Sequence, residues 1–139
     1  MASVHKEIRI DRSADDVWDA LRDVGALHTR LVPGFVTDCR LEPGARVVTF
    51  GNGMVARELI VTVDDAARRL AWSVVGSARL THHSASAQAL PADDGTCRVV
   101  WIADFLPDEL AASLAGMIEQ GLAAMKRSLE SRLEHAPAV

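Results

Sequence analysis

The sequence lacks the features that mark membrane, secreted and nucleic-acid-binding proteins. No stretch approaches the run of about 20 apolar residues that a helix needs to cross a bilayer, so no membrane insertion is expected. The N-terminal segment MASVHKEIRID alternates apolar and charged residues where a signal peptide needs an apolar run, which predicts a cytoplasmic protein. With a net charge of −4 and no basic cluster, the chain offers no electrostatic footprint for nucleic acid.

The chain also lacks the motifs of the common enzyme and metal-binding classes. It has no Gly-rich phosphate loop, no nucleophile elbow and no paired cysteine and histidine. Cys39 and Cys97 fit no metal-ligand pattern, so we expect two reduced thiols, although the sequence leaves a disulfide open. His82 and His83 are neighbours on a predicted strand and point to opposite faces, which makes them a poor metal pair. The sequence therefore predicts neither a metal site nor a cofactor.

What is present predicts one globular domain over residues 1–139. Apolar residues make up 49% of the chain and charged residues 24%, a balance that excludes disorder and supplies a core. Turn residues such as Pro43-Gly44 and Asn52-Gly53 recur between short apolar segments, as is typical of an antiparallel meander rather than of βαβ units. The predicted strands cover residues 4–10, 35–41, 46–50, 54–63, 70–75, 80–90 and 98–105.

Helical signals occur after the first strand and at the end of the chain. Ser13 can cap a short helix that Gly25 interrupts, and a second short helix covers residues 26–31. Residues 108–135 have one apolar stripe at three- and four-residue steps, which predicts a single long helix. Because the sheet must bury its apolar face, we predict an α+β helix-grip fold, in which a curved antiparallel sheet of about seven strands wraps around this helix. The space left between sheet and helix would form a ligand cavity.

Several short sequence motifs are weak signals alone, but their order and spacing along the chain are together specific. Along the chain they are Ala14-Asp-Asp-Val-Trp18, Cys39-Arg-Leu, Gly53 leading to Arg57-Glu58-Leu59, Asp64-Asp65, Arg68-Arg69-Leu70, and Val100-Trp101-Ile-Ala-Asp-Phe105 before Pro107. This set resembles the START-like or Bet v 1-like (SRPBCC) superfamily, in particular its polyketide cyclase/dehydrase-like branch. The resemblance covers nearly the whole chain and implies the fold that the periodicity predicts independently.

The resemblance also implies which residues line the cavity. Glu58 precedes Asp64 at a spacing shared with plant abscisic-acid receptors, whose matching glutamate faces the cavity, and alternation gives Ile60 and Thr62 the same face. Thr37 stands where those receptors have their pocket lysine, so hormone recognition of that kind is not expected. The turns Gly51-Asn52-Gly53 and Gly76-Ser77-Ala78 resemble the two entrance loops. The predicted ligand-binding residues are Thr37, Met54, Glu58, Ile60, Trp72, His83, Trp101, Ala103, Phe105, Leu114 and Met117.

Glu58 and His83 are the candidate catalytic residues. A carboxylate in an apolar cavity suits general acid/base work or the binding of a polar ligand group, and an inward imidazole can donate to a ligand or exchange a proton. Both interpretations have an alternative. If the apolar set Val55, Leu59, Val61 and Val63 faces inward, Glu58 points to solvent. The alternative for His83 is a half-buried side chain held by a neighbouring carbonyl.

Three functions remain open on the sequence. The first is a carrier or sensor that binds a small hydrophobic molecule such as a lipid or polyketide, and it needs only the cavity. The second is a polyketide aromatase/cyclase or dehydratase that uses Glu58 or His83 for proton transfer. The third is a homodimer that pairs an apolar outer sheet face carrying Leu59, Val61 and Val63.

Overall fold

A computed structural model of the protein describes residues 1–134. The strands are β1 (Ala2–Ile10), β2 (Val36–Glu42), β3 (Ala45–Phe50), β4 (Val55–Asp64), β5 (Arg69–Val75), β6 (His82–Pro91) and β7 (Cys97–Leu106), and the helices are α1 (Ala14–Leu21) and α2 (Ala111–Glu134). The second predicted short helix is a single π-helical turn, Leu27–Leu31, and a 3₁₀ turn, Asp108–Leu110, precedes α2. The predicted end of the long helix at His135 lies outside the described residues.

All seven strands form one antiparallel sheet in the order β1-β7-β6-β5-β4-β3-β2. Strands β2 to β7 follow one another in space as they do in sequence, and β1 joins the sheet beside β7, the last strand. The predicted meander and helix-grip architecture are therefore confirmed.

Local chemistry fixes the position of α1. The Ser13 hydroxyl accepts a hydrogen bond from the Asp16 amide at 3.1 Å, which satisfies one of the free donors at the helix N-terminus. At the other end of α1, the Trp18 indole is buried in the core, and its Nε1 donates to Asp65 at 2.9 Å. The bond from Trp18 holds α1 against the turn that joins β4 to β5.

Helix α2 is tied to the rest of the molecule in both halves. In the N-terminal half, Lys6 Nζ lies 2.9 Å from Glu119 Oε1 and Ile118 is buried. More hydrogen bonds lie in the C-terminal half. There, Lys126 Nζ donates to the Arg9 carbonyl at 2.8 Å, the Asp11 amide donates to Glu130 at 2.9 Å, and Met125 and Leu129 are buried in the core. In the N-terminal half, Leu114 and Met117 are only half-buried. No helix within residues 1–134 has the length and apolar character to cross a membrane.

The outer face of β4 carries exposed apolar side chains. Val55 and Val61 are 63% and 64% exposed, and Leu59 and Val63 are also exposed, whereas Glu58 is 6% exposed. Val55, Leu59 and Val61 therefore point outward and Glu58 inward, whereas Val63 follows a register shift and lies opposite the buried Leu70. Strict alternation predicts that Thr62 shares the face of Glu58. A register shift between Ile60 and Thr62 interrupts the alternation, and Thr62 is exposed instead.

Both cysteines are free thiols. Cys39 is half-buried and its Sγ lies 3.4 Å from the Val24 carbonyl oxygen. Cys97 is fully buried, and burial raises the pKa of its thiol to about 11, so it stays protonated and unreactive at neutral pH.

Candidate functional site

A cavity of about 550 Å³ lies between the inner face of the sheet and the N-terminal half of α2. The π-helical turn and the start of β2 close its side, and most of its surface is apolar. Its volume falls in the range of pockets that hold small organic ligands, roughly 300–1,000 Å³. The buried side chains in its walls include Leu31, Val36, Leu70, Trp72, Ala87, Ala103, Ile118 and Met125.

Two aromatic pairs shape the apolar part of the cavity. The rings of Trp72 and Trp101 meet edge to face with centroids 5.6 Å apart, and those of Phe35 and Phe50 meet in the same way at 5.6 Å. Gly121 on α2 makes room for both pairs, because a Cβ at this position would lie 2.7 Å from the Trp101 ring and 3.2 Å from the Phe35 ring. The close approach of the helix at Gly121 therefore sets where these two rings stand.

A buried ion pair forms the polar end of the cavity. Arg46 Nε donates to Glu58 Oε1 at 2.8 Å, and the two side chains are only 4% and 8% exposed. Arg46 Nη1 also donates to the Val24 carbonyl at 3.2 Å, and its guanidinium carbon lies 5.9 Å from the Trp72 ring centroid. The cavity wall thus holds two opposite charges that neutralise each other.

The β3–β4 hairpin brings this pair together. Arg46 and Glu58 are directly opposite in the antiparallel register, and Glu58 is in turn opposite Val74 on β5. On β6, the next strand, His83 accepts a hydrogen bond from the Val74 amide. Arg46, Glu58 and His83 therefore form one polar row across four neighbouring strands.

His83 presents a neutral imidazole to the cavity. It is 7% exposed, and its Nδ1 accepts from the Val74 amide at 3.0 Å, so the ring proton is on Nε2. Burial, with a smaller contribution from the charge of His82, lowers the pKa of His83 from 6.5 to about 4. At neutral pH the side chain is therefore an uncharged hydrogen-bond donor.

This burial predicts an acid-sensitive stability. The unfolded chain takes up a proton on His83 below about pH 6.5, and the folded chain does not until about pH 4, so stability falls as the pH drops through that window. Between pH 7 and pH 5 we expect His83 to account for a loss of about 1–2 kcal/mol. Urea unfolding at both values, with His83→Asn beside the wild type, measures this loss, because Asn can still accept from the Val74 amide. His82→Asn, at an exposed neighbour, should keep most of the wild-type pH dependence, and identical pH dependence in His83→Asn would contradict the prediction.

Charged side chains surround the rim of the cavity. Arg57 Nε lies 3.0 Å from Glu42 Oε1, and Arg40 lies 3.8 Å from the same carboxylate. All three side chains are partly or largely exposed to solvent. Gly76 and Ser77, in the turn predicted as an entrance loop, also lie on the cavity surface.

The sequence matches the model of the family described as polyketide cyclase / dehydrase and lipid transport, over residues 1–130. The chain belongs to this family. The resemblance inferred from the ordered motifs is thereby confirmed. A search of curated protein sequences found no match to this chain.

Solved structures of other proteins share the fold. The protein XoxI from Bacillus cereus has 22% identity and a TM-score of 0.84, over 97% of this chain and 99% of its own. A protein from Thermobifida fusca has 30% identity and a TM-score of 0.77, over 99% of both chains. The di-domain aromatase/cyclase BexL has 18% identity and a TM-score of 0.82, over 99% of this chain and 48% of its own. The Bet v 1-like helix-grip fold of this family member is thus shared with proteins of low sequence similarity.

The structure brings most of the predicted ligand-binding residues of this family member to the cavity. The lining residues among them are Met54, Glu58, Trp72, His83, Trp101, Ala103, Leu114 and Met117. The structure gives their position on the cavity wall, and their role in ligand binding stays a prediction.

Three of the predicted residues do not line the cavity. Thr37 is the unpaired residue at a register shift in β2 between Val36 and Asp38. It is exposed to solvent, and its hydroxyl donates to the Thr49 carbonyl at 3.3 Å. Ile60 is opposite Trp72 and packs against the core, while Trp72 supplies the cavity surface at this level. Phe105 is fully buried in the core.

The most important residue that the sequence reasoning missed is Arg46. A signal for it was present, because Arg46 and Glu58 are equally distant from Asn52 at the centre of the predicted hairpin turn. Residues placed symmetrically about a hairpin turn face each other across the two strands. Applying that rule to the glutamate would have identified its partner.

Proposed function

We propose that this protein binds one small, largely apolar molecule in the cavity between the sheet and α2. The observation that carries the proposal is the combination of a cavity of about 550 Å³, walls rich in tryptophan and aliphatic side chains, and a confined polar row at one end. In a cavity divided in this way, contact with the apolar walls supplies most of the affinity for a ligand, and the few polar groups fix the orientation of the bound ligand. The family description, which includes lipid transport, supports the same role.

Native mass spectrometry of the purified protein tests the proposal. We expect either a co-purifying small molecule or a one-to-one complex with an added neutral aromatic probe such as 2-acetylnaphthalene, with a change in tryptophan fluorescence because Trp72 and Trp101 line the cavity. His83→Ala should weaken binding about tenfold by removing one hydrogen-bond donor. His82→Ala, one residue away on the exposed face, is the matched control and should bind as the wild type does. An empty protein that ignores both lipids and neutral aromatic probes would contradict the proposal.

A second candidate function is aromatase/cyclase or dehydratase chemistry. The observation in its favour is the neutral His83 imidazole in the cavity wall, together with the structural likeness to BexL. Glu58 is less available for proton transfer than the sequence predicts, because Oε1 already accepts a charge-assisted bond from Arg46. A β-hydroxy ketone offered as ligand tests the dehydratase, since dehydration would return it lighter by one water. A cyclisation without loss of water leaves the mass unchanged and is detected by a new chromatographic peak of the same mass.

The exposed apolar face of β4 is consistent with the third possibility, a homodimer.

A further inference from the structure

The polar row contains more hydrogen-bonding capacity than the protein itself uses. Arg46 bonds through Nε and Nη1, Glu58 through Oε1, and the His83 ring through Nδ1. Within residues 1–134, Nη2 of Arg46, Oε2 of Glu58 and Nε2 of His83 have no hydrogen-bond partner.

These three atoms can be reached from the cavity. Among the described residues, the only fully enclosed side-chain nitrogen or oxygen without a partner is Nδ1 of His28, so the three atoms retain accessible surface. Their residues are 3%, 6% and 7% exposed and all line the cavity, so this surface faces the cavity space. The row therefore offers a ligand two donors and one acceptor.

The polar end nevertheless has no net charge. The Arg46 guanidinium is matched by Glu58 at 2.8 Å, and the His83 imidazole is neutral at pH 7. A ligand carboxylate that entered would lose its hydration and find no unmatched cation, a loss that costs several kcal/mol for a buried ion. A ketone or hydroxyl of the same shape would use the same donors and acceptor at a much smaller desolvation cost.

The charges at the rim do not change this balance. Arg40 and Arg57 exceed Glu42 by one positive charge, but their side chains are 69% and 48% exposed. Water and salt screen such charges, so they can attract an anion to the opening without compensating it inside.

We infer that the polar row of Arg46, Glu58 and His83 selects uncharged ligands with ketone or hydroxyl oxygens and excludes carboxylates of the same shape. This inference rests on the proposed ligand-binding function and defines the chemical class of its ligand. Glu58 acts here as a specificity-determining residue, because its charge prevents Arg46 from serving as an anion-binding site.

Two nearly isosteric probes test the inference. We expect the wild-type protein at pH 7.5 to bind neutral 2-acetylnaphthalene about 100-fold more tightly than 2-naphthoate, as measured by calorimetry or tryptophan fluorescence. In Glu58→Gln the Arg46 charge is unmatched, so the preference should fall about tenfold or more through tighter binding of naphthoate. The double variant Arg46→Gln/Glu58→Gln removes both charges and should restore the preference for the ketone.

The outcomes separate this inference from the function on which it rests. Equal binding of the two probes by the wild type, or tighter binding of naphthoate, would overturn the inference and leave the ligand-binding function intact. Failure of both probes and of all lipids to bind would overturn both. If Glu58→Gln does not fold, the wild-type ratio still decides the question, because it requires no substitution.

Discussion

Glu58→Ala is expected to lower the free energy of unfolding by about 3–5 kcal/mol, because it leaves the Arg46 guanidinium buried without its partner. The side chains of this pair are 4% and 8% exposed, so the little solvent that reaches them through the cavity compensates the charge far less than the missing carboxylate did. Because Arg46 would still donate to the Val24 carbonyl, it could not leave the cavity wall without losing that bond as well. Urea unfolding monitored by circular dichroism measures the difference.

Two control variants assign this loss to burial. Glu42→Ala breaks an ion pair of similar geometry, with Arg57 at 3.0 Å, but at side chains that are 33% and 48% exposed. It should cost no more than about 1 kcal/mol. Arg46→Met/Glu58→Leu removes both buried charges and should recover most of the loss, because an apolar pair needs no compensation. Equal effects of Glu58→Ala and Glu42→Ala would show that the buried pair is hydrated through the cavity.

Leucine substitutions at Ala87 and Ala89 are expected to have opposite consequences, although the two residues lie on the same face of β6. Ala87 lines the cavity, whereas Ala89 is 0% exposed and packed in the core. Ala89→Leu should lower the free energy of unfolding by about 1–3 kcal/mol, because the added carbons overpack a filled region. Ala87→Leu adds the same carbons to empty space and should change stability by less than about 0.5 kcal/mol.

The same pair of variants tests the binding function. Ala87→Leu should reduce the affinity for 2-acetylnaphthalene at least tenfold, because the new side chain occupies volume that the ligand needs, and this loss is measured by fluorescence titration. Ala66→Leu, at an exposed turn position, controls for the change of side chain and should alter neither stability nor binding. Strong destabilisation by Ala87→Leu would mean that the cavity is already filled by packed side chains.

The fold was predictable because local signals agreed with one another along the whole chain. Gly44 and Gly53 have positive φ angles of 69° and 88° in the turns that close the first two hairpins of the meander, where other residues are disfavoured. Ser13 caps α1, and the apolar stripe after Pro107 predicted a helix that only the sheet could cover. Each of these signals depends on residues close in sequence.

The site was less predictable because it depends on strand register. The spacing shared with the family placed Glu58 on the inner face, as the structure has it. The same resemblance suggested Thr37 and alternation suggested Thr62 for that face, but register shifts in β2 and β4 leave both exposed to solvent. A bulge leaves little trace in composition, since it adds one ordinary residue to a strand. The neutralising role of Arg46 depends on a contact between two strands, and neither residue alone indicates it.

The division of the cavity lining between α2 and the sheet has a consequence for how the site could diversify. For the ligand proposed above, we expect Leu114 and Met117 on the helix to limit its size, and Arg46, Glu58 and His83 on the sheet to select its polarity, because both groups line the cavity. Substitutions in separated groups with no shared partners have nearly additive effects. Mutation of the helix could therefore change the dimensions of an accepted molecule without altering its required chemistry, and mutation of the sheet could do the reverse. In evolutionary terms, the two determinants of specificity form independent modules on one scaffold.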